Sequence, residues 1–191
     1  MVNPAYFKKI KEEIESYDSK RDELIRDSNK IVQLSKKAIY SVHRNEIKEA
    51  ERVVKEMKGI IEKIKKEISR NPKLDIGSFK IAVQEYVEAL CYLSFVKQEE
   101  IPTHSKLGID LEYYLLGLLD LAGELGRNAV NSAIEGNIEE VHRIRKFVKE
   151  LYTELMQIDF RNSELRKNTD RVRHELQKLD TIVLDLKMKG N

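Results

Sequence analysis

Apolar residues recur at helical spacing along almost the whole chain, and no stretch alternates as a half-buried strand would. Tyr6, Ile10, Ile14 and Tyr17 begin a stripe that resumes at Ile31, Leu34 and Ala38, which predicts one long helix over about 5–44. A second helix, over about 46–69, carries Val53, Met57, Ile60, Ile64 and Ile68 at steps of three and four. Pro72 cannot continue a helix, and Gly77 punctuates the loop that follows it. The third helix covers about 79–100, and "IPTHSKLGI" reads as a connector. Asp110 is expected to cap a fourth helix that ends near Gly136 and Asn137. Val141, Ile144, Val148, Leu151, Leu155 and Ile158 form the stripe of a fifth, which stops around Arg161 with Asn162 or Ser163 as the next cap. Val172, Leu176, Leu179, Val183 and Leu186 mark the last. The pattern predicts an all-α antiparallel bundle of about six long helices, a single domain over 1–191. The last two stripes keep coiled-coil-like spacing, so part of those seams could face another subunit.

Two segments break the separation of apolar and polar faces. In "YYLLGLLDLAGELGR" leucines point in nearly every direction, yet Asp120 and Glu124 share a face there. In "VQEYVEALCYLSF" the acids Glu85 and Glu88 are three apart among Val and Leu. An ionised carboxylate left unpaired in such surroundings costs on the order of several kcal/mol. Ion pairing with Lys or Arg, or a solvated strip, would account for the spacing. If the two helices instead face each other, four carboxylates converge, and they stay ionised together only around cations. Oxygen ligands without histidine or thiolate select Mg2+ or Mn2+ over zinc.

Charge then narrows the choice of partner. Charged residues make up 36% of the 191, but the net charge is only +2, so any basic site is local. No acid occurs between Asp27 and Glu46, whereas Lys30, Lys36, Lys37 and Arg44 do, with Tyr40 among them. Lys30, Lys37 and Arg44 are seven apart and form a stripe suited to a phosphate backbone, with Tyr40 available for stacking; a solvated face is the plainer alternative. Arg127 is either the salt-bridge partner of Glu124 or a clamp on a phosphate. His43, His104, His142 and His174 show no ligand spacing to one another, and a di-iron bundle, which takes a Glu-x-x-His motif from each of two helices, is disfavoured. Cys91 is the single cysteine, and no glycine-rich phosphate loop is present. Gly117 and Gly123 are expected to let helices approach closely. With no apolar run of membrane-spanning length and no signal-peptide core, the expectation is a soluble cytoplasmic protein.

The segments "VQEYVEALCYLSF" and "DLEYYLLGLLDLAGELGRNAVNSAIEGNI" resemble the translin superfamily, in particular its translin-associated factor X branch. The likeness extends through "LSKKAIYSVHR" and "LDTIVLDLKMKG", in matching order along nearly the whole chain. It implies a translin-like all-α bundle of about seven helices, so about six to seven long helices are expected, assembled into a closed octameric shell. It further implies a Mg2+-dependent endoribonuclease that cuts single-stranded RNA, with Mn2+ as an alternative ion and single-stranded DNA as an alternative ligand. The acidic residues of that branch fall on Glu85, Glu88, Asp120 and Glu124, and its arginine on Arg127. Translin proper lacks the full acidic set and only binds nucleic acid, so the four acids favour the catalytic branch. The long insertion that the eukaryotic factor X subunits carry is missing here, which implies assembly of this chain with itself. A non-catalytic nucleic-acid-binding shell and a plain scaffold are the rival expectations.

Overall fold

The computed structural model of the chain describes residues 3–74, 76–161 and 163–189. Seven α-helices and no strand occur among the described residues: α1 Pro4–His43, α2 Ile47–Arg70, α3 Gly77–Val96, α4 His104–Leu107, α5 Leu111–Ile134, α6 Ile138–Leu155 and α7 Ser163–Lys189. A single 3-10 turn, Pro72–Leu74, separates α2 from α3.

Local chemistry explains most boundaries. The Asn3 side chain accepts from the amides of Ala5 and Tyr6, with Pro4 preorganised for the first turn of α1. Asp110 accepts from the Glu112 amide at 2.8 Å, so the expected cap forms. Asn137 does the same for α6 through the Glu140 amide at 3.2 Å. The cap expected at Asn162 or Ser163 lies outside the described residues and side chains. α3 stops at Val96, short of the expected end, because Gln98 turns into the left-handed region at φ 58°. The connector "IPTHSKLGI" holds one unforeseen helical turn, α4, capped by Thr103 and closed by left-handed Gly108.

Cross-helix pairs fix the topology. Lys30 meets Glu56 at 2.8 Å and Lys37 meets Glu49 at 2.7 Å, so α1 and α2 run antiparallel, as a three-residue turn requires. Across α3 and α5 the partner numbers rise together: Lys80 with Glu112 at 2.8 Å, Gln84 with Asp120 at 2.5 Å, Tyr92 with Asn128 at 3.1 Å. Those two helices are therefore parallel. The short turns give the expected antiparallel neighbours, and a crossover over 97–110 carries the chain back between α3 and α5. It travels along α2, held by Lys97 to Glu51 at 2.7 Å and by Lys65, whose ammonium donates to the Gly108 carbonyl at 2.5 Å.

The core is continuous from α1 through α7, with Ile31, Met57, Ile64, Leu116, Leu125, Ile144 and Leu179 fully buried. Gly117 lies where α3 and α5 touch: a Cβ there would sit 2.6 Å from the Gln84 carbonyl and from the Val87 Cβ. Gly126 has a comparable place against α7, where a Cβ would meet the Glu175 carboxylate at 2.6 Å. The other expected contact glycine, Gly123, faces open space, so it has no part in helix approach. The seams of α6 and α7 are largely filled within the chain, through Val141, Ile144 and Val148 on one side and Val172 and Leu179 on the other. Residues 4–23 of α1 are exposed apart from the half-buried Ile10 and Tyr17, which leaves Tyr6, Phe7 and Ile14 in solvent.

Candidate functional site

Close contact of α3 and α5 at Gly117 brings both acidic pairs to one place, where α1 joins them. Glu88 is the most confined of the four. It is 8% exposed and makes no hydrogen bond or ion pair among the described residues. Burial first, then repulsion from Asp120, Glu85 and Glu124, pushes its carboxyl up to about 8, against a smaller opposing pull from Arg127. That repulsion is the electrostatic signature of four acids converging. Glu85, half-buried, accepts from the Ser35 hydroxyl at 2.6 Å, and Asp120 accepts from Gln84 at 2.5 Å with Arg171 further out at 3.6 Å. Glu124 is 3% exposed and doubly held: His43 Nε2 lies 2.5 Å from one oxygen, and Arg127 donates to the other through Nε at 2.9 Å and through Nη2.

Among the described residues none of the four acids is tied to a lysine; Glu124 has Arg127 as a close cationic partner and Asp120 the more distant Arg171. Among the described residues, however, no three His, Cys, Asp or Glu side chains sit close enough together to enclose an ion in this arrangement. The donor set is all hard oxygen, and the protonated-leaning Glu88 is a carboxyl without a partner. Those residue types suit a small divalent cation, with side-chain rotation needed to close the set around it.

Three of the acids, Glu85, Glu88 and Glu124, line a cleft of about 1050 Å3 together with Lys36, Tyr40 and Arg127 among others, whereas Asp120 is not part of its lining. Of the residues expected to meet nucleic acid, Lys36, Tyr40 and Arg127 face this cleft, and Lys30, Lys37 and Arg44 are not part of its lining. Tyr40 is 67% exposed, and Lys36 has no ion-pair partner among the described residues. The stripe on α1 is otherwise not unbalanced, which corrects the expectation from sequence. Lys30 and Lys37 are neutralised by Glu56 and Glu49 of α2, and Arg44 pairs with Glu46 at 2.9 Å. The acids missing from α1 are supplied across the turn.

Other groups in the cleft escaped the sequence reading. His43 stacks on Tyr92 with ring centroids 5.4 Å apart, and Arg143 lies 4.1 Å over the Phe95 ring while donating to Glu140 and to the Phe95 carbonyl. Asn128, Asn131 and Asn137 line the far wall. A search for ligand spacing along the chain could not find His43, because its partner Glu124 is 81 positions away.

These features define a helical bundle whose parallel central helices present an acidic cluster at the base of a polar cleft. Comparison with known proteins places it more narrowly: residues 19–190 match the Translin family, and the chain belongs to that family. It is 32% identical over 181 residues to an uncharacterized protein of Methanocaldococcus jannaschii, covering 90% of this chain and 80% of that one. It is 24% identical over 227 residues to Translin-associated protein X of Mus musculus, covering 97% of this chain and 78% of that protein. Among solved structures, apo-NeC3PO superposes with a TM-score of 0.89 at 31% identity, covering 96% of this chain and 98% of the other. The AfC3PO–duplex RNA complex gives 0.85 at 25% identity, with 96% and 97% covered.

Proposed function

We propose that this chain is a divalent-metal-dependent endoribonuclease of the translin-associated factor X type, cleaving single-stranded RNA inside a homo-oligomeric shell, with an octamer the expected size. The observation that supports this most is Glu88: a buried carboxyl with no hydrogen bond or ion pair among the described residues, repelled by three further acids, in the wall of an open cleft.

Glu85, Glu88, Asp120 and Glu124 would hold Mg2+, or Mn2+ in its place. When bound, such an ion activates water and neutralises charge developing on phosphate. The remaining work belongs to the chain itself. Arg127 is kept firmly charged by Glu124 and lies at the rim, 70% exposed, where its remaining N–H groups are free for a phosphate. Lys36 supplies a second positive charge along the strand, and the exposed Tyr40 ring offers a face on which an unpaired base stacks. Because the acids lie deep and the cations at the rim, a strand entering the cleft meets attraction before it meets the carboxylates. The reaction would take place in the cytoplasm; among the described residues no helix is long and apolar enough to cross a membrane.

The test uses end-labelled single-stranded RNA with Mg2+, with Mn2+ and with EDTA, and a duplex as comparison since one relative's structure holds duplex RNA. Cleavage is expected only with metal and preferentially on the single strand. Glu88→Gln and Asp120→Asn should each lower the cleavage rate by about 100-fold or more while leaving the gel shift of the RNA intact. Undiminished cleavage by both variants would overturn the assignment, and RNA that shifts but stays whole would make the chain a binding shell.

A further inference from the structure

We propose that His43 is a positioning residue of the acidic cluster, fixing the Glu124 carboxylate through a directed chain of hydrogen bonds that runs back to Ser132. The inference rests on the nuclease reading, in which Glu124 is a metal ligand, and adds a residue that does not itself touch the ion.

The direction of the chain follows from the partners. Glu124 accepts Arg127 N–H groups on Oε2, and toward its Oε1 the His43 nitrogen 2.5 Å away acts as the donor. With Nε2–H donating, Nδ1 of a neutral imidazole is the acceptor. The hydroxyl 3.4 Å from Nδ1 belongs to Tyr92, whose phenol burial pushes up, so it keeps its proton and donates. The Tyr92 oxygen accepts from Asn128 Nδ2 at 3.1 Å, and Asn128 Oδ1 accepts from the Ser132 hydroxyl at 3.3 Å. From Asn128 to His43 each group donates once and accepts once. That pattern selects one imidazole tautomer.

Geometry gives the chain its purpose. His43 comes from the last turn of α1, Tyr92 from α3, and Asn128 and Ser132 from α5. Arg127 and His43 grip different oxygens of Glu124, so the carboxylate is held at both ends, while contact with the Tyr92 ring at 49° limits imidazole rotation. Outer groups that orient a metal ligand in this way typically change metal affinity by about 10- to 100-fold when removed.

Full-length His43→Ala, His43→Gln and Tyr92→Phe are to be titrated with Mn2+, reading the free ion by electron paramagnetic resonance. His43→Ala should bind Mn2+ about 10- to 100-fold more weakly. His43→Gln should recover most of the affinity, since its amide N–H has a reach similar to that of the imidazole Nε2–H. Tyr92→Phe should fall between them, and in RNA cleavage kcat should drop with KM unchanged. Should His43→Ala fail to fold, Tyr92→Phe decides. Wild-type 15N imidazole shifts should report hydrogen on Nε2; hydrogen on Nδ1, or variants that bind Mn2+ as tightly as wild type, would overturn the proposal alone. A wild-type chain that binds no Mn2+ would remove the nuclease reading and this role together.

Discussion

At Glu88 the proton is held by the fold. Burial and the neighbouring acids push its carboxyl up to about 8 from an ordinary 4.5, so the native state holds a proton over a range where the unfolded chain releases it. The sign follows: this contribution to stability is fully present below about pH 4.5 and is lost as pH rises toward 8. In EDTA, the melting temperature should therefore fall across that window by more than in Glu88→Gln. At pH 8 the variant should be the more stable protein by about 1–3 kcal/mol, measured by chemical denaturation. Mg2+ should reverse the order by stabilising only the wild type. Equal stability of the two proteins at pH 8 without metal would contradict the buried, proton-holding state. His43 shows the opposite case at the same scale, a side chain whose importance lies in where its hydrogens point.

Among the elements, the α3–α5 contact sets the site. Replacing Gly117 by Ala drives a methyl into the Gln84 carbonyl and Val87, with a backbone atom that cannot step aside. The expected loss is about 1–3 kcal/mol in urea denaturation, accompanied by weaker metal-dependent cleavage as the acidic pairs separate. Gly123→Ala meets nothing and should instead gain up to about 1 kcal/mol from helix propensity. Sequence could not separate the two glycines, because periodicity shows which face a residue occupies but not which neighbour stands opposite. The same limit explains the rest of what was and was not legible. Helices, the Asp110 cap and the placing of Glu88 and Glu124 among leucines are local facts, and the chain states them locally. The parallel pairing of α3 with α5, the α2 acids that neutralise Lys30 and Lys37, and the His43–Glu124 contact all depend on residues tens of positions apart.

For the molecule as a whole, α1 is the unfinished part. Its 40 residues span about 60 Å. Over its first half Tyr6, Phe7 and Ile14 remain 55–59% exposed, with nothing among the described residues to cover them. In the proposed homo-oligomer a second copy would cover this stretch. The triple variant Tyr6→Ser, Phe7→Ser, Ile14→Ser should accordingly run as a smaller species in light scattering after gel filtration, with its helical circular dichroism kept. An unchanged mass would place the subunit contacts elsewhere.

The crossover over 97–110 has a further consequence. The alignment of α3 with α5 is dictated by what they exchange sideways, from Lys80 and Glu112 at one end to Tyr92 and Asn128 at the other. The strap that joins them is pinned at Lys97 and Gly108 and packs Ile101, Leu107 and Ile109 on the core, so added length is tolerated best in its exposed stretch before Ile101, where doubling the loop would add only about 0.6 kcal/mol of closure entropy. Cargo spliced in just beyond Glu100 would ride on the outside of the bundle while the carboxylates kept their places, which makes this the point where evolution, or a protein engineer, can append new sequence at least risk to the rest.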